Sequence, residues 1–170
     1  MITEKAELRL RVSDFAGICA QKLRSERSAA VSVGVFAHTS PFRKDLPQYY
    51  PYASVRLDKP QNSTQEIVHA ALRVLDEIFR EGYSYKRAGV IIEEIVSADA
   101  VQGLLFETED QIELERRQNE ISAIMDRVNK PGSNLLRLAT QRPGHYADGI
   151  RRDHCSPSFT TDWEDLLIVK

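Results

Sequence analysis

An α+β fold, with an antiparallel sheet carrying two helices on one face, is predicted by three observations in this 170-residue chain. The apolar periodicity switches between helix and strand in the order α-β-β-α-β. A long amphipathic segment at 64–81 opens on the S-x-x-E pair Ser63 and Glu66, a capping-box signature. Val31, Val33, Val35 and Ala37 alternate with Ser32, Gly34, Phe36 and His38, the mark of a half-buried strand. One strand added before the first helix would complete a β-α-β-β-α-β arrangement.

The elements follow in order. Leu8, Val12, Phe15, Cys19 and Leu23 recur at steps of three and four, with Ala16 and Ala20 beside them. The spacing predicts a helix over 4–26, capped by Thr3. The strand through 31–38 comes next, then "TSPFRKDLPQYYPY", a proline-rich loop. Ala53, Val55 and Leu57 alternate with Ser54, Arg56 and Asp58 in a second strand. In the helix over 64–81, Ile67, Ala70, Ala71, Val74, Leu75, Ile78 and Phe79 form the apolar face, and Gly82 is its C-cap. "YKRAGVIIEEIVS" predicts a third strand over 85–96. With both helices on one face, the other stays open and shows Ser32, Gly34, Phe36, His38, Ser54, Arg56 and Asp58. Small and polar residues there suit a large, flat or grooved partner. "DQIELERRQNEISAIMDRVNK" predicts a further helix, ended by Pro131-Gly132, and "NLLRLAT" a short strand. From Gln141 to Thr161 the pattern becomes irregular and turn-rich, as in segments that order against a partner.

Composition bounds the function. A hydrophobic content of 42% supports a packed core. A net charge of −2 argues against nucleic-acid binding by bulk charge alone. The charge is uneven: residues 1–97 carry 14 Lys/Arg against 12 Asp/Glu, and residues 98–170 carry 9 against 13. The seam is acidic, with eight acids against Arg116 and Arg117 between Asp99 and Asp126. Cys19 and Cys155 form no disulfide framework, and the sequence has neither a membrane-length apolar run nor a signal-peptide core, so a soluble cytoplasmic protein is expected.

Catalytic chemistry is not expected, nor is a metal or cofactor. His38, His69, His145 and His154 lack ligand spacing, and Ser156 lacks a glycine elbow. Glu93 and Glu94 are adjacent on a strand, so their side chains should point apart rather than pair. The cations are more informative. Arg43 and Lys44, Arg56 and Lys59, and Lys86 and Arg87 come from three segments that the sheet would gather. Ordinary surface charge is one reading, and phosphate contact along a duplex, which positions without reading sequence, is the other. "QGLLF", Gln102 to Phe106, is an apolar plug set in acidic sequence, a packed core strand in one reading and an exposed docking peptide in the other.

The ordered segments "AQKLRSE", "FAHTSPF", "ASVRLDKPQNSTQEIVHAALRVLDEIFREGYSYKRAGVII", "MDRVN" and "CSPSFTTDWEDLLIVK" resemble the C-terminal part of the UmuC family. That family is the catalytic subunit of the bacterial error-prone DNA polymerase V, among the Y-family translesion polymerases of the SOS response. Phe159 stands where the family has Tyr. The resemblance implies that residues 1–97 are a little-finger domain whose open face lies on the primer-template duplex. It implies that 98–110 are a linker with a clamp-binding peptide and that 111–170 are a helical and irregular interaction region. It also implies that the family's first strand precedes this chain, leaving a sheet edge open to self-association or strand addition. Nucleotide transfer would belong to a palm domain absent from the chain. The plug matches the family's Gln-Leu-x-Leu-Phe peptide for the β sliding clamp at Gln102, Leu104, Leu105 and Phe106, with Gly103 in place of a Leu. UmuD′ and the RecA filament are the further partners implied. The rival expectation is a protein-interaction module that binds UmuD′ or RecA without DNA affinity of its own.

Overall fold

The computed structural model describes residues 1–100, 108–129 and 135–142. The elements are α1 (Lys5–Ser25), β1 (Ser28–Thr39), β2 (Tyr52–Gln61), α2 (Thr64–Ile78), β3 (Tyr85–Ser97) and α3 (Glu109–Val128). β1 is central in an antiparallel sheet of order β2-β1-β3. The α+β class and the helix–strand order are therefore those the sequence predicts.

α1 and α2 cover one face of the sheet. Their buried residues, Leu8, Val12, Ala16, Ala20 and Leu23 on α1 and Ile67, Ala71, Val74 and Leu75 on α2, form one core with Val33, Val35 and Ala37 of β1. Each large apolar side chain buried there contributes about 1.5–3 kcal/mol. The stripe on α1 is rotated from the predicted one. Phe15 is 37% exposed and Ala16 fully buried. Small side chains on both helices, Ala16 and Ala20 on α1 and Ala70 and Ala71 on α2, belong to the shared core, and a phenyl ring at Ala16's position would need room that close packing does not leave.

Several boundaries differ for local reasons. The N-cap of α1 is Glu4, with no side-chain cap, so Thr3 does not serve. Ser63 does accept from the Glu66 amide, but the Glu66 carboxylate receives the Gln118 amide of α3 at 2.9 Å. α2 stops at Ile78, three residues early. Phe79 turns extended and stacks near Tyr85, with ring centroids 5.6 Å apart. The Tyr85 hydroxyl then satisfies the freed backbone, accepting from the Arg80 amide at 2.9 Å and donating to its carbonyl at 3.0 Å. Gly82, at φ +85°, makes the turn beyond. Leu135 to Thr140 contain no strand. They run as a strap over the helices, with Leu138 against the core and the Thr140 hydroxyl 2.9 Å from that of Ser13.

Among the described residues, the outer edge of β3 is paired at one point, where Ile2 and Tyr85 exchange two backbone hydrogen bonds of 2.8 Å. α3 opens on a full capping box between Thr108 and Gln111. It lies against the end of α1 through Arg24–Asp126, against β2 through Lys59–Glu115, and against the start of α2 through the Ser122 hydroxyl, which accepts from the Thr64 amide at 3.2 Å.

Candidate nucleic-acid interface

The helix-free face is built by register. Opposite Ser32, Gly34 and Phe36 stand Arg56, Ser54 and Tyr52 on β2. On the other side stand Glu93, Ile91 and Gly89 of β3, with Arg87 opposite His38. Two rings fill the space above its glycines. A Cβ on Gly34 would come 2.5 Å from the Tyr52 hydroxyl, and one on Gly89 would come 2.6 Å from the Phe36 ring. The Tyr52 hydroxyl donates to Glu93, which raises the phenol's pKa and keeps it a donor. Ser32 donates to Glu93 at 3.4 Å and to the Val55 carbonyl at 3.1 Å.

Glu93 and Glu94 do not diverge as strand alternation predicts. Glu94 has φ +52°, which breaks the alternation. Arg56 reaches across β1 to it at 3.0 Å. The two carboxylates still take different partners, Tyr52 for one and Arg56 for the other, so they share no proton.

The six predicted cations separate into three groups. Arg87, on the open face, and the adjacent Lys86 begin β3, at the same end of the sheet as the loop that carries Lys44. Among the described residues these three have no carboxylate within ion-pair distance. Arg56 lies farther along the face, 70% exposed and shared with Glu94. Arg43 is held bidentate by Asp45, at 2.8 and 2.6 Å. Lys59 is drawn away to Glu115 of α3, its side chain only 13% exposed. The open face is thus mixed in charge, with its unpaired cations at one end. Lys59 has a packing partner that sequence order could not show, because α3 arrives 50 residues later.

The Arg43 guanidinium hydrogen bond pulls the Asp45 carboxyl down to about 2. A carboxylate lowered in the fold stabilises above its ordinary range near 3.8 and loses that contribution only as pH falls through about 2. The pair therefore persists at any physiological pH and masks Arg43. Asp45→Asn should free it, and if this face meets a duplex, affinity in about 50 mM salt should rise about two- to fivefold, the scale of one exposed ion pair. A gel-shift titration showing no rise would remove Arg43 from the contact set.

Gln102, Leu104, Leu105 and Phe106 lie outside the described residues, as do Ser156 and the closing "SPSFTTDWEDLLIVK". Sequence reasoning missed the aromatic row of the open face. Tyr52 and Tyr50 carried a signal, since Tyr52 falls one step before Ser54 on the same alternation, but both sat in what read as loop. It also missed the Thr108-x-x-Gln111 capping box.

Residues 1–105 match the impB/mucB/samB family C-terminal domain. Residues 119–169 match a domain of unknown function (DUF4113). Among curated proteins the chain is similar to Protein UmuC of Salmonella typhimurium strain LT2, 32% identical over 170 residues. It is similar to Protein SamB of Salmonella typhimurium, 31% identical over 169 residues, and to Protein MucB of Escherichia coli, 30% identical over 163. These alignments take in 99%, 99% and 96% of this chain but 39%, 39% and 37% of the relatives. The chain spans about two fifths of the length of the relatives it matches.

Proposed function

The chain belongs to the impB/mucB/samB family through that family's C-terminal domain, and from that premise we propose that it is the DNA-contacting and clamp-targeting part of an error-prone translesion DNA polymerase of the SOS response. The observation that carries the reading is the helix-free sheet face, with Arg56 and Arg87 on it and Lys44 and Lys86 at its end. In this role the face lies along the primer-template duplex. Its cations meet phosphates. The chain performs no nucleotide transfer itself. That chemistry belongs to a palm domain, and this region holds the polymerase on its substrate in the bacterial cytoplasm. Gln102, Leu104, Leu105 and Phe106 bind the β sliding clamp.

The expected DNA behaviour is weak, salt-sensitive binding without sequence preference. Reversing charge at Lys44, Arg56, Lys86 and Arg87 together should lower primer-template affinity at low salt by about tenfold or more and flatten the salt slope. Fluorescence anisotropy at several salt concentrations reads both. Unchanged binding by the fourfold variant would overturn the DNA reading.

One observation favours a second role. α3 exposes Leu114, Ile121, Ile124 and Val128. At 100° per residue these four share one side of the helix, away from Glu115, Ser122 and Asp126, which tie it down. A partner such as UmuD′ or the RecA filament would cover that stripe. Co-purification with such a partner by a chain that shows no DNA affinity would favour a pure interaction module.

A further inference from the structure

An aromatic row climbs the open face toward the loop between β1 and β2. Tyr52 is the register neighbour of Phe36. The Phe36 and His38 rings are 5.0 Å apart, and His38 meets Tyr50 edge-on at 5.7 Å. Tyr52 and Phe36 have a packing role over Gly34 and Gly89. Phe42, three residues beyond the end of β1, is 88% exposed, the most exposed large apolar side chain among the described residues.

The loop that presents Phe42 is tightly framed. The Arg43 amide donates to the Ser40 carbonyl and the Leu46 amide to that of Arg43, each at 3.1 Å. The Gln48 side-chain amide donates to the Arg43 and Leu46 carbonyls at 2.8 and 3.0 Å. Its carbonyl oxygen accepts from the hydroxyls of Thr39 and Tyr50 at 3.0 and 2.7 Å. A single exposed apolar residue is ordinary on a protein surface. Here the turn is closed on both sides of the ring, the row of rings climbs toward the same loop, and Lys44, Lys86 and Arg87 stand at the same end of the sheet. A loop backbone fixed in advance by such a frame suits recognition, because that part of the chain has little freedom left to lose on binding.

We propose that Phe42 is a stacking residue for an unpaired nucleobase, with Lys44 and Arg87 on the flanking phosphates. This rests on the DNA-contacting role argued above and adds a preference to it. Inside a duplex each base already has a neighbour on both faces. At the point where a single strand leaves the duplex a base face is free, and every base offers the same π surface, so the contact tolerates any sequence. The cations supply the salt-dependent attraction and the ring supplies a preference for single-stranded ends.

The test compares two probes with the full chain: a blunt duplex, and the same duplex with a 5′ template overhang bearing 2-aminopurine at its first unpaired position. The wild-type chain should bind the overhang probe about tenfold more tightly, the scale of one base–aromatic stack, and change the 2-aminopurine fluorescence. Phe42→Ala should lose the preference and the fluorescence change while keeping its blunt-duplex affinity within about twofold, since the ring packs on nothing that the fold needs. Phe42→Trp should keep both. A Phe42→Ala chain that retains the preference, or a Phe42→Trp chain that loses it, overturns the stacking role and leaves the duplex reading standing. A wild-type chain that binds neither probe overturns both.

Discussion

Replacing Leu105 and Phe106 with Ala should abolish retention of the chain on immobilised bacterial sliding clamp. A buried Leu or Phe contributes about 1.5–3 kcal/mol, so losing both removes roughly 3–6 kcal/mol, a hundredfold or more in affinity. A short peptide has little else to hold it, since ordering it on the clamp already offsets part of the contact energy. The same change should leave the DNA affinity of the domain untouched, which separates docking from misfolding. Gly103→Leu should act in the opposite direction, restoring the apolar side chain at the one position where the peptide departs from the family pattern and relieving the backbone freedom of glycine. Surface plasmon resonance on the clamp measures all three chains. Equal retention by the Leu105→Ala, Phe106→Ala chain would end the clamp reading. Weak docking would still matter in a polymerase already seated on primer-template, because tethering raises the effective concentration of the peptide at the clamp.

The parts of the fold that could be read in advance are those governed by neighbours close in sequence. Val33, Val35 and Ala37 enter the helix-covered core because a strand has period two, but β1 is not the half-buried strand expected: Ser32 and Gly34 on its other face are buried too, the glycine under Tyr52. Ile67, Ala71, Val74 and Leu75 are buried because a helix has period 3.6. The discrepancies come from contacts between distant segments. Phe15 is 37% exposed while its neighbour Ala16 is fully buried, in a core to which both helices contribute alanines. The last turn of α2 was given up to Tyr85, whose hydroxyl takes over the Arg80 backbone. Glu94 left its alternation at a positive φ, which no residue type at that position announces. The candidate site divides in the same way. Arg56 could be placed on the open face from alternation, whereas Arg87 joins it through its register with His38. That Arg43 is masked by Asp45, and Lys59 by Glu115, depends on loop geometry and on a helix 50 residues away. The strap at 135–142 has no periodic signal, since its hold on the helices comes from single contacts: Thr140 on Ser13, Leu138 on the core, and Arg142 on Asp14 at 2.7 Å.

Arg24→Ala should loosen α3 from the rest of the domain and lower stability by about 1–3 kcal/mol. Arg24 is a hub. Its guanidinium donates to both oxygens of Asp126 at 2.6 and 2.7 Å and to the Asn62 carbonyl at 2.6 Å. The two side chains are 15% and 30% exposed. Truncation leaves a mostly buried carboxylate and a carbonyl without their donor, which is where the cost of breaking a buried pair arises. Partial exposure of Asp126 and competition from water reduce it below the fully buried case. Arg24→Ala with Asp126→Ala should recover part of the loss, because no unpaired charge then remains, and the cycle isolates the pairing energy. Denaturant unfolding gives the stabilities. Hydrogen exchange locates the effect: the amides of α3 should lose protection while those of β1 and α2 keep theirs. Equal loss across all elements would instead make α3 an inseparable part of the core. No loss in α3 would mean that Lys59–Glu115 and Ser122–Thr64 hold it without Arg24. The outcome bears on the proposed function, because α3 follows the proposed clamp peptide directly. A helix fixed to the domain proposed to contact DNA leaves Gln102 to Phe106 tethered at both ends, between Ala100 and the Thr108 cap. A released helix would let the same peptide search a larger volume, lowering its effective concentration at the clamp. Clamp retention of the Arg24→Ala chain, measured on a DNA-loaded clamp, should therefore fall although no clamp-contacting residue has changed.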